Sequence, residues 1–464
     1  MLKHGFGLRW MGCWLGSFIL GFTASIAHAG GQGISEGKRL LALPEGIEAS
    51  QPRWSPDGQH VAYRVSRDGQ WVAVYDGEEI GTFDFLGPPM FSPSGQHYAW
   101  SAGNKLQKRG DSWKAERWWM IIDGELLGRN DWLGGPTFFG DGERLLYWSN
   151  PKVKLDKNGA YTQKPHFLNT ATKKGSRWTI KTHKEKWGTS TFAPELSGDG
   201  NWIAYPTFDS GKGKHYLFVS NGKKNLSIPK GGLPGYPNAV AFLDKKNWAV
   251  SFSRYEQDSA GNFQQRERIL FQEEEYGSSY DDVGHPALSD DGKHLAYLFE
   301  QEEKVGVVLD EEERVKASWD HAFFLEFAPD GERFAVVASR GGKYKPYGPA
   351  TNDSPFSEVT RPLKHRSERV LGAQEGVEIH WVRKGKEVER SESYEKIQSL
   401  HWDPNGERLA FVAQEEDKVR LVVDEHKSEL FDHIGEPRFS SDGKRVGFGA
   451  VDGQELWWKI LVLE

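Results

Sequence analysis

The chain has 464 residues, with 59 Lys and Arg against 66 Asp and Glu, and a single cysteine. A net charge of −7 argues against nucleic acid as a partner, because phosphate recognition depends on clustered basic side chains. Cys13 alone excludes an intramolecular disulfide or a metal site built from several cysteines, so packing of the chain must supply stability.

The first 29 residues are predicted to be a signal peptide. Lys3 and Arg9 give a positively charged start, residues 10–26 form an apolar run, and a small-x-small cleavage site ends at Ala29. A retained membrane anchor is the alternative, although the run is shorter and richer in glycine than a spanning helix prefers. Cleavage predicts a periplasmic or secreted protein of residues 30–464 that has no membrane span and a net charge of about −9.

One short sequence motif recurs nine times along the rest of the chain. It consists of apolar or aromatic residues, a tight turn that is usually Asp-Gly, and an apolar triplet, a pattern that predicts a β-hairpin. The turn positions are Gly58, Gly95, Gly142, Gly200, Lys245, Gly292, Gly331, Gly406 and Gly443. A small residue stands four positions later in eight of the nine copies, which indicates that a neighbouring sheet packs closely there.

A second hairpin with an acidic turn follows most copies, as in WVAVYDGEEI at 71–80 and VGVVLDEEER at 305–314. Two hairpins give four antiparallel strands, so nine repeats predict an all-β propeller of about nine blades in a single domain. Eight blades are the alternative, because the fifth copy lacks the glycine. RLLALP at 39–44 has no blade of its own and LWWKILVLE at 456–464 lacks a fourth strand, so their pairing would close the ring and remove two exposed edges.

The phrase SPDGxxxAY at 55–63, followed by a strand and Asp-Gly, resembles the WD40-like repeat of TolB-type propellers, which prolyl oligopeptidases and dipeptidyl peptidases share. The resemblance covers essentially all of residues 30–464. It implies the propeller fold but no particular activity, because such propellers host binding, gating and catalysis. The sequence contains no G-x-S-x-G, H-E-x-x-H or Walker motif, which favours a non-catalytic role.

Six of the nine repeats carry a carboxylate eleven residues before the turn position. They are Asp84, Asp131, Asp281, Asp320, Glu395 and Asp432. This position precedes the innermost strand of a blade, so the six side chains are expected to ring one mouth of the central channel. Each could cap a turn by accepting backbone N–H bonds. Alternatively, they could bind a cationic ligand or a divalent cation such as calcium. The pattern identifies no other cofactor and no specific metal ligand.

Four long insertions are predicted between the second and third strands of a blade, at 102–117, 150–165, 253–267 and 340–376. These loops emerge on the same face as the carboxylates, and loops of this length are often functional. The last insertion carries Lys364, Arg366 and Arg369, while Trp113 and Trp118 flank the first. These five residues are candidates for contacts with a partner.

The leading hypothesis is therefore an exported, non-catalytic propeller that binds a protein or peptide of the cell envelope through its loop-bearing face. The alternative is a hydrolase or lyase that uses paired carboxylates at the channel mouth, with or without a divalent cation.

Overall fold

The computed structural model describes residues 35–109, 112–130, 132–133, 136–140, 142–150, 167–182, 195–197, 199–209, 211–221, 223–257, 259–339, 378–383 and 386–463. Within these ranges the regular secondary structure consists of β-strands alone. Across the same ranges, no helix has the length and apolar character needed to cross a membrane. The first 34 residues, which include the predicted signal peptide, lie outside them.

The strands form nine separate sheets, the blades of a propeller. Strand β1 (Ser35–Ala42) comes first. Blades 1 to 3 contain β2 (Ser50–Trp54), β3 (Val61–Arg67), β4 (Gln70–Tyr75) and β5 (Glu78–Phe83); β6 (Phe85–Leu86), β7 (Met90–Phe91), β8 (Tyr98–Arg109), β9 (Ser112–Ile122) and β10 (Glu125–Asn130); and β11 (Trp132–Leu133), β12 (Thr137–Phe139), β13 (Arg144–Asn150), β14 (Phe167–Lys174) and β15 (Arg177–Thr182).

Blades 4 to 6 contain β16 (Glu195–Leu196), β17 (Ile203–Asp209), β18 (Lys214–Ser220) and β19 (Asn225–Ile228); β20 (Tyr236–Phe242), β21 (Trp248–Gln257), β22 (Phe263–Phe271) and β23 (Glu274–Tyr280); and β24 (Asp282–Val283), β25 (Ala287–Leu288), β26 (Leu295–Gln301), β27 (Lys304–Leu309) and β28 (Glu312–Trp319). Blades 7 to 9 contain β29 (His321–Phe327), β30 (Arg333–Ser339), β31 (Glu378–Arg383) and β32 (Lys386–Arg390); β33 (Lys396–Trp402), β34 (Leu409–Glu415), β35 (Lys418–Val423) and β36 (His426–Lys427); and β37 (His433–Ile434), β38 (Arg438–Phe439), β39 (Arg445–Asp452) and β40 (Glu455–Val462).

Each blade is an antiparallel meander in which successive strands pair in order. In blades 2, 3, 6 and 9 the first strand is broken into two short pieces that both pair with the second strand. The fifth repeat forms a complete four-stranded blade, β20 to β23, even though Lys245 replaces the turn glycine. The prediction of nine blades is therefore confirmed, and the eight-blade alternative is wrong.

The ring closes through the two ends of the chain, as predicted. Strand β1 pairs antiparallel with β40, from Ser35 opposite Leu461 to Ala42 opposite Glu455, and supplies the fourth strand of blade 9. This pairing satisfies strand edges that would otherwise be exposed. Where the ring closes, the Trp54 indole of blade 1 lies directly against the backbone of two glycines of blade 9, Gly435 and Gly449.

The hydrophobic core lies between neighbouring blades. Leu298 and Val307 of blade 6 pack in one cluster with Phe334 and Val336 of blade 7, for example. The alanines at the fixed position after the turn are completely buried: Ala62, Ala99, Ala204, Ala249, Ala296, Ala335 and Ala410. The close inter-sheet contact predicted from these small residues is confirmed, because a longer side chain there would meet the next blade.

A second repeated feature ties the two hairpins of a blade together on the Asp-Gly turn face. The His60 Nδ1 lies 2.6 Å from an Asp76 carboxylate oxygen, and the other oxygen accepts the Val61 N–H at 2.9 Å. The same arrangement recurs at His97 with Asp123 and at His294 with Asp310. In each case the aspartate of the acidic turn is bonded to the histidine ring and to the backbone of the strand that follows the Asp-Gly turn, so these bonds join the two turns of one blade.

Candidate functional site

The predicted carboxylates lie at the connections between blades, where they join one blade to the next. Asp84 accepts a hydrogen bond from the Gln70 side chain of blade 1 at 2.7 Å, and another from the Lys105 backbone N–H of blade 2. Asp320 accepts a hydrogen bond from the Lys304 ammonium of blade 6. Its own N–H donates to a backbone carbonyl of blade 7 at 3.0 Å.

Asp432 has the same two kinds of partner. Its carboxylate accepts the Gly453 N–H of blade 9 at 2.6 Å and pairs with the Lys418 ammonium of blade 8 at 3.0 Å. The Gly453 hydrogen bond, assisted by Lys418, lowers the pKa of Asp432. The carboxylate thus accepts a backbone N–H, as expected for a cap. However, the donor lies in the hairpin between the second and third strands rather than in a local Asx turn.

Asp281 pairs with the Arg266 guanidinium of blade 5 and accepts the Glu302 N–H of blade 6 at 3.1 Å. Glu395 is exposed, and Asp131 lies outside the described residues. Over the ranges that the structure describes, no group of three or more His, Cys, Asp or Glu side chains is arranged to hold a metal ion. The binding of a cation by these carboxylates remains a prediction.

Two of the four insertions are long hairpins between the second and third strands, as predicted. The pairing of β8 with β9 continues to Arg109 opposite Ser112, and that of β21 with β22 to Gln257 opposite Phe263. These hairpins extend the blades on the insertion-bearing face. Most of insertion 150–165 and all of 340–376 lie outside the described residues, including Lys364, Arg366 and Arg369.

Of the two tryptophans proposed as partner contacts, Trp118 lies in the core. It is 1% exposed and packs edge-on against Phe85, with ring centroids 5.1 Å apart. Strand β9 begins six residues before Trp118, and the alternation of the strand turns this side chain towards the interior of blades 2 and 3. Trp113 lies on the same strand, and its side chain is outside the described part of the structure.

A different group of aromatic residues is exposed on the insertion-bearing face of blades 4 and 5. Phe208 is 38% exposed, Tyr236 44%, Phe263 70% and Tyr255 72%. The His215 ring lies between the first two, 4.8 Å from the Phe208 centroid and 5.1 Å from that of Tyr236. We call Phe208, Tyr236, Tyr255 and Phe263 the aromatic surface. The repeat register did not reveal it, because these residues stand at strand ends. Tyr255 and Phe263 are nevertheless the large apolar residues of an otherwise polar hairpin sequence.

A cavity of about 440 Å³ lies within this surface, lined by Tyr236, Ser253, Arg254, Tyr255 and Gln265. Tyr255 is opposite Gln265 in the pairing of β21 with β22. Ser253 is opposite Tyr236 of β20 on one side and Glu267 of β22 on the other. Because side chains alternate along a strand, Ser253, Tyr255 and Gln265 share one face of blade 5.

Glu267 is the next residue of β22 on that face, directly opposite Ser253. It is only 8% exposed. Burial and the carboxyl of Asp282, on the first strand of blade 6, raise the pKa of Glu267 to about 7. The Val283 N–H donates a hydrogen bond to the Glu267 carboxylate at 3.1 Å. This bond and one with the Asn238 side chain lower the pKa of Glu267, and so partly offset the effect of burial. A side-chain hydrogen bond between Glu267 and Asp282 also raises the pKa of Glu267.

The arginines on the other face of the same hairpin are paired with different carboxylates. Glu256 accepts hydrogen bonds from Arg254 at 2.9 Å and from Arg268 at 2.8 Å, which lower its pKa to about 2. Glu275 lies 2.5 Å from a second nitrogen of Arg254. This network fixes the base of the hairpin and positions Arg254 at the rim of the cavity.

The structure therefore defines a closed, nine-bladed propeller whose insertion-bearing face carries an aromatic surface, with the buried carboxyl of Glu267 next to it. No protein-family model and no curated protein matches the chain. Similar solved structures include the Dos1 propeller, with 10% identity over 93% of this chain and 95% of that one and a TM-score of 0.37. TolB from Acinetobacter baumannii has 12% identity over 78% and 79%, with a TM-score of 0.29. A prolyl endopeptidase has 13% identity over 82% of this chain but 56% of its own, with a TM-score of 0.35. These similarities concern the fold alone.

Proposed function

We propose that the protein is a non-catalytic propeller that binds a protein or peptide partner on the insertion-bearing face of blades 4 and 5. The aromatic surface carries this proposal. Single exposed apolar residues are ordinary, but a continuous group of large aromatic side chains marks an interaction site. Phe208 and Tyr236 are joined through His215, Tyr236 and Tyr255 line one cavity, and Phe263 follows along the face of Tyr255.

The chemistry of the surface suits a polypeptide partner. Tyrosine and arginine dominate the energetic centres of protein interfaces, because they bury a large area while keeping a polar end for hydrogen bonding. Here Tyr236, Tyr255 and Arg254 surround a single cavity, with Ser253 and Gln265 available as hydrogen-bonding groups. A partner segment could therefore place one anchor residue in the cavity and lie against the exposed rings.

The test is capture of partners from an envelope extract by the parent and by a Tyr255→Ser, Phe263→Ser double variant. We expect at least a tenfold loss of captured partner, because the variant removes the two most exposed rings. Leu126→Ser is the matched control, since Leu126 is 47% exposed on blade 2, away from this surface. Equal capture by parent and double variant would contradict the proposal.

We further propose that the protein is exported and that its partner belongs to the cell envelope. The support is the sequence of residues 1–29, with its charged start, apolar run and small-x-small end. Mass spectrometry of the protein from its native host is expected to give an N-terminus at Gly30. An intact N-terminus at Met1 would contradict cleavage.

A second candidate function is acid–base catalysis by Glu267 and Asp282. The observation that favours it is the position of Glu267, which is buried opposite the cavity residue Ser253 and beside the Asp282 carboxyl. Burial and Asp282 raise the pKa of Glu267 to about 7, and such a carboxyl can donate and accept protons at neutral pH. Glycans and esters should be screened with the parent and with Glu267→Gln, before and after chelation of divalent cations. Turnover that disappears in Glu267→Gln would support this candidate over pure binding.

A further inference from the structure

We propose that a small cavity where blade 1 joins blade 2 is a subsite for a carboxylate group, carried by a small free acid or by an acidic side chain of a polypeptide. The cavity lies on the insertion-bearing face, beside the first long hairpin. It shares no residue with the aromatic surface of blades 4 and 5, so the subsite goes beyond the proposed function and does not depend on it.

The cavity has room for one side chain or one small acid. Its volume is about 220 Å³, and its walls come from both blades: Gln70, Asp84, Asn104, Lys105, Arg117 and Trp119. Pockets for drug-sized ligands are larger, roughly 300–1,000 Å³, whereas a cavity of about 150 Å³ already holds a molecule the size of benzene. Asn104 and Arg117 are directly opposite each other in the pairing of β8 with β9.

Arg117 supplies the positive charge that a carboxylate needs. Its side chain is exposed, and within the residues that the structure describes its guanidinium forms no ion pair or hydrogen bond. Other arginines on the same face are paired, Arg67 with Glu79 and Arg266 with Asp281. A guanidinium presents N–H donors in a planar fork that matches the two oxygens of a carboxylate. Arg117 can therefore bind a carboxylate that enters the cavity.

The acceptors of the cavity wall are already engaged, which leaves donors for a ligand. One oxygen of the Asp84 carboxylate accepts a hydrogen bond from the Gln70 side chain at 2.7 Å, and the other accepts one from the Lys105 backbone N–H. The side-chain oxygen of Asn104 accepts the Asp84 N–H at 3.1 Å. The donor end of the Asn104 amide is therefore available beside Arg117, as an anion requires.

The charge of the wall also favours an anion. Two cationic residues, Arg117 and Lys105, line the cavity with one carboxylate, that of Asp84. The wall is therefore net positive, whereas the whole chain has a net charge of −7. Complementary charge selects the sign of the ligand, so a carboxylate is favoured over a cation or a neutral group.

The backbone of Lys105 adds an observation that does not depend on charge. Its φ is +57°, in the left-handed region that residues other than glycine rarely adopt. Such conformations persist only where the surrounding structure holds them, and they are concentrated at binding and active sites. Here the backbone N–H of Lys105 holds Asp84 in place while the residue itself lines the cavity.

The experiment follows the NMR signal of the Trp119 indole N–H, which reports on a cavity residue and is assigned by its disappearance in Trp119→Phe. Sodium acetate and two acetylated and amidated pentapeptides, Gly-Gly-Asp-Gly-Gly and Gly-Gly-Asn-Gly-Gly, are titrated into the isotope-labelled protein at constant ionic strength. We expect acetate and the aspartate peptide to shift this signal with saturation. The aspartate peptide should bind at least tenfold more tightly than the asparagine peptide, because hydrogen bonds to charged groups are the stronger ones.

Arg117→Gln should weaken the binding of acetate and of the aspartate peptide at least tenfold. Arg177→Gln is the matched control, because Arg177 is exposed on the β14–β15 hairpin of blade 3, away from the cavity, and its replacement removes the same charge. It should leave both affinities unchanged. Arg117→Lys keeps the charge but loses the planar pair of donors, so it should retain more affinity than Arg117→Gln.

The two sources of the carboxylate are distinguished by the same titrations. A response to acetate alone would support a site for a small free acid, and a response to the aspartate peptide alone would support a site for an acidic side chain. A Trp119 signal that responds to neither, or equally to the aspartate and asparagine peptides, would overturn the subsite. Binding by Arg117→Gln as tight as by the parent would also overturn it. Capture of partner through the aromatic surface is tested by different variants, so either proposal can fail without the other.

Discussion

The two faces of this propeller use the same nine repeats in different ways. On the Asp-Gly turn face, His60, His97 and His294 each pair with an aspartate at the corresponding acidic turn, in one geometry. On the opposite face the repeated aspartates still join the blades. There, however, the hairpins differ in length and blades 4 and 5 expose aromatic rings. The hydrogen bonds of the regular face stabilise the blades, whereas the departures from the repeat lie on the face where we propose that a partner binds.

The comparison predicts that single substitutions should have large effects where the ring closes and small effects on the aromatic surface. The largest effect is expected for Gly449→Leu on β39. A Cβ atom at Gly449 would overlap the Trp54 indole of blade 1, and Gly435 leaves only 2.8 Å for a Cβ against the same ring. We expect the free energy of unfolding to fall by about 3 kcal/mol or more. Overpacking typically costs roughly 1–3 kcal/mol, and the Trp54 indole leaves no free volume beside Gly449.

Denaturant unfolding measures this loss as a lower midpoint. Gly453→Leu is a suitable control, because a Cβ at Gly453 meets nothing within 4 Å, although its φ of +58° adds some strain. If Gly449→Leu were as stable as that control, the tight contact between blades 1 and 9 would not be essential to closure.

The second prediction concerns the buried carboxyl of Glu267. Because the pKa of Glu267 rises from 4.5 to about 7 on folding, its stabilising contribution is complete below pH 4.5 and is lost as the pH rises through about 7. Glu267→Gln removes this ionisation. Between pH 4.5 and pH 8, the free energy of unfolding of the parent should therefore fall by on the order of 2–3 kcal/mol more than that of the variant. Parallel curves of stability against pH for the two proteins would contradict the assigned burial of Glu267.

The third prediction concerns the aspartates that join the blades. Asp432→Asn keeps an oxygen that can accept the Gly453 N–H but loses the charge that pairs with Lys418. We expect a loss of about 0.5–1 kcal/mol, because exposed ion pairs contribute little. The effect should fall as salt is added, which thermal unfolding at low and high ionic strength would measure.

Calcium provides the contrasting outcome. If the aspartates only join blades, calcium should leave the melting temperature of the parent unchanged. A calcium-dependent rise that disappears in an Asp281→Asn, Asp432→Asn double variant would instead support the cation interpretation.

The fold could be predicted because its signals are local. The Asp-Gly turns identified the hairpins, and the alanine four positions after each turn indicated where neighbouring blades pack. The segments 39–44 and 456–464, which belong to no complete repeat, indicated that the two ends of the chain pair to close the ring. The site could not be predicted in the same way. The eleven-residue register pointed to Asp281, whereas the partner of buried Glu267 is Asp282, and the two meet only where blades 5 and 6 pack. Trp118 was assigned to a surface because the extent of β9 was not visible in the sequence.

The smallest change in stability is expected on the aromatic surface itself. Tyr255 and Phe263 are 72% and 70% exposed, so little apolar area leaves the core when they are replaced. The Tyr255→Ser, Phe263→Ser double variant should unfold within about 0.5 kcal/mol of the parent, as surface substitutions usually do. Tyr297→Ser is the matched comparison, because Tyr297 is completely buried between blades 5 and 6 and its loss should cost about 3–5 kcal/mol. If the double variant were destabilised as much as Tyr297→Ser, Tyr255 and Phe263 would be structural. Their exposure could then no longer be explained by a partner.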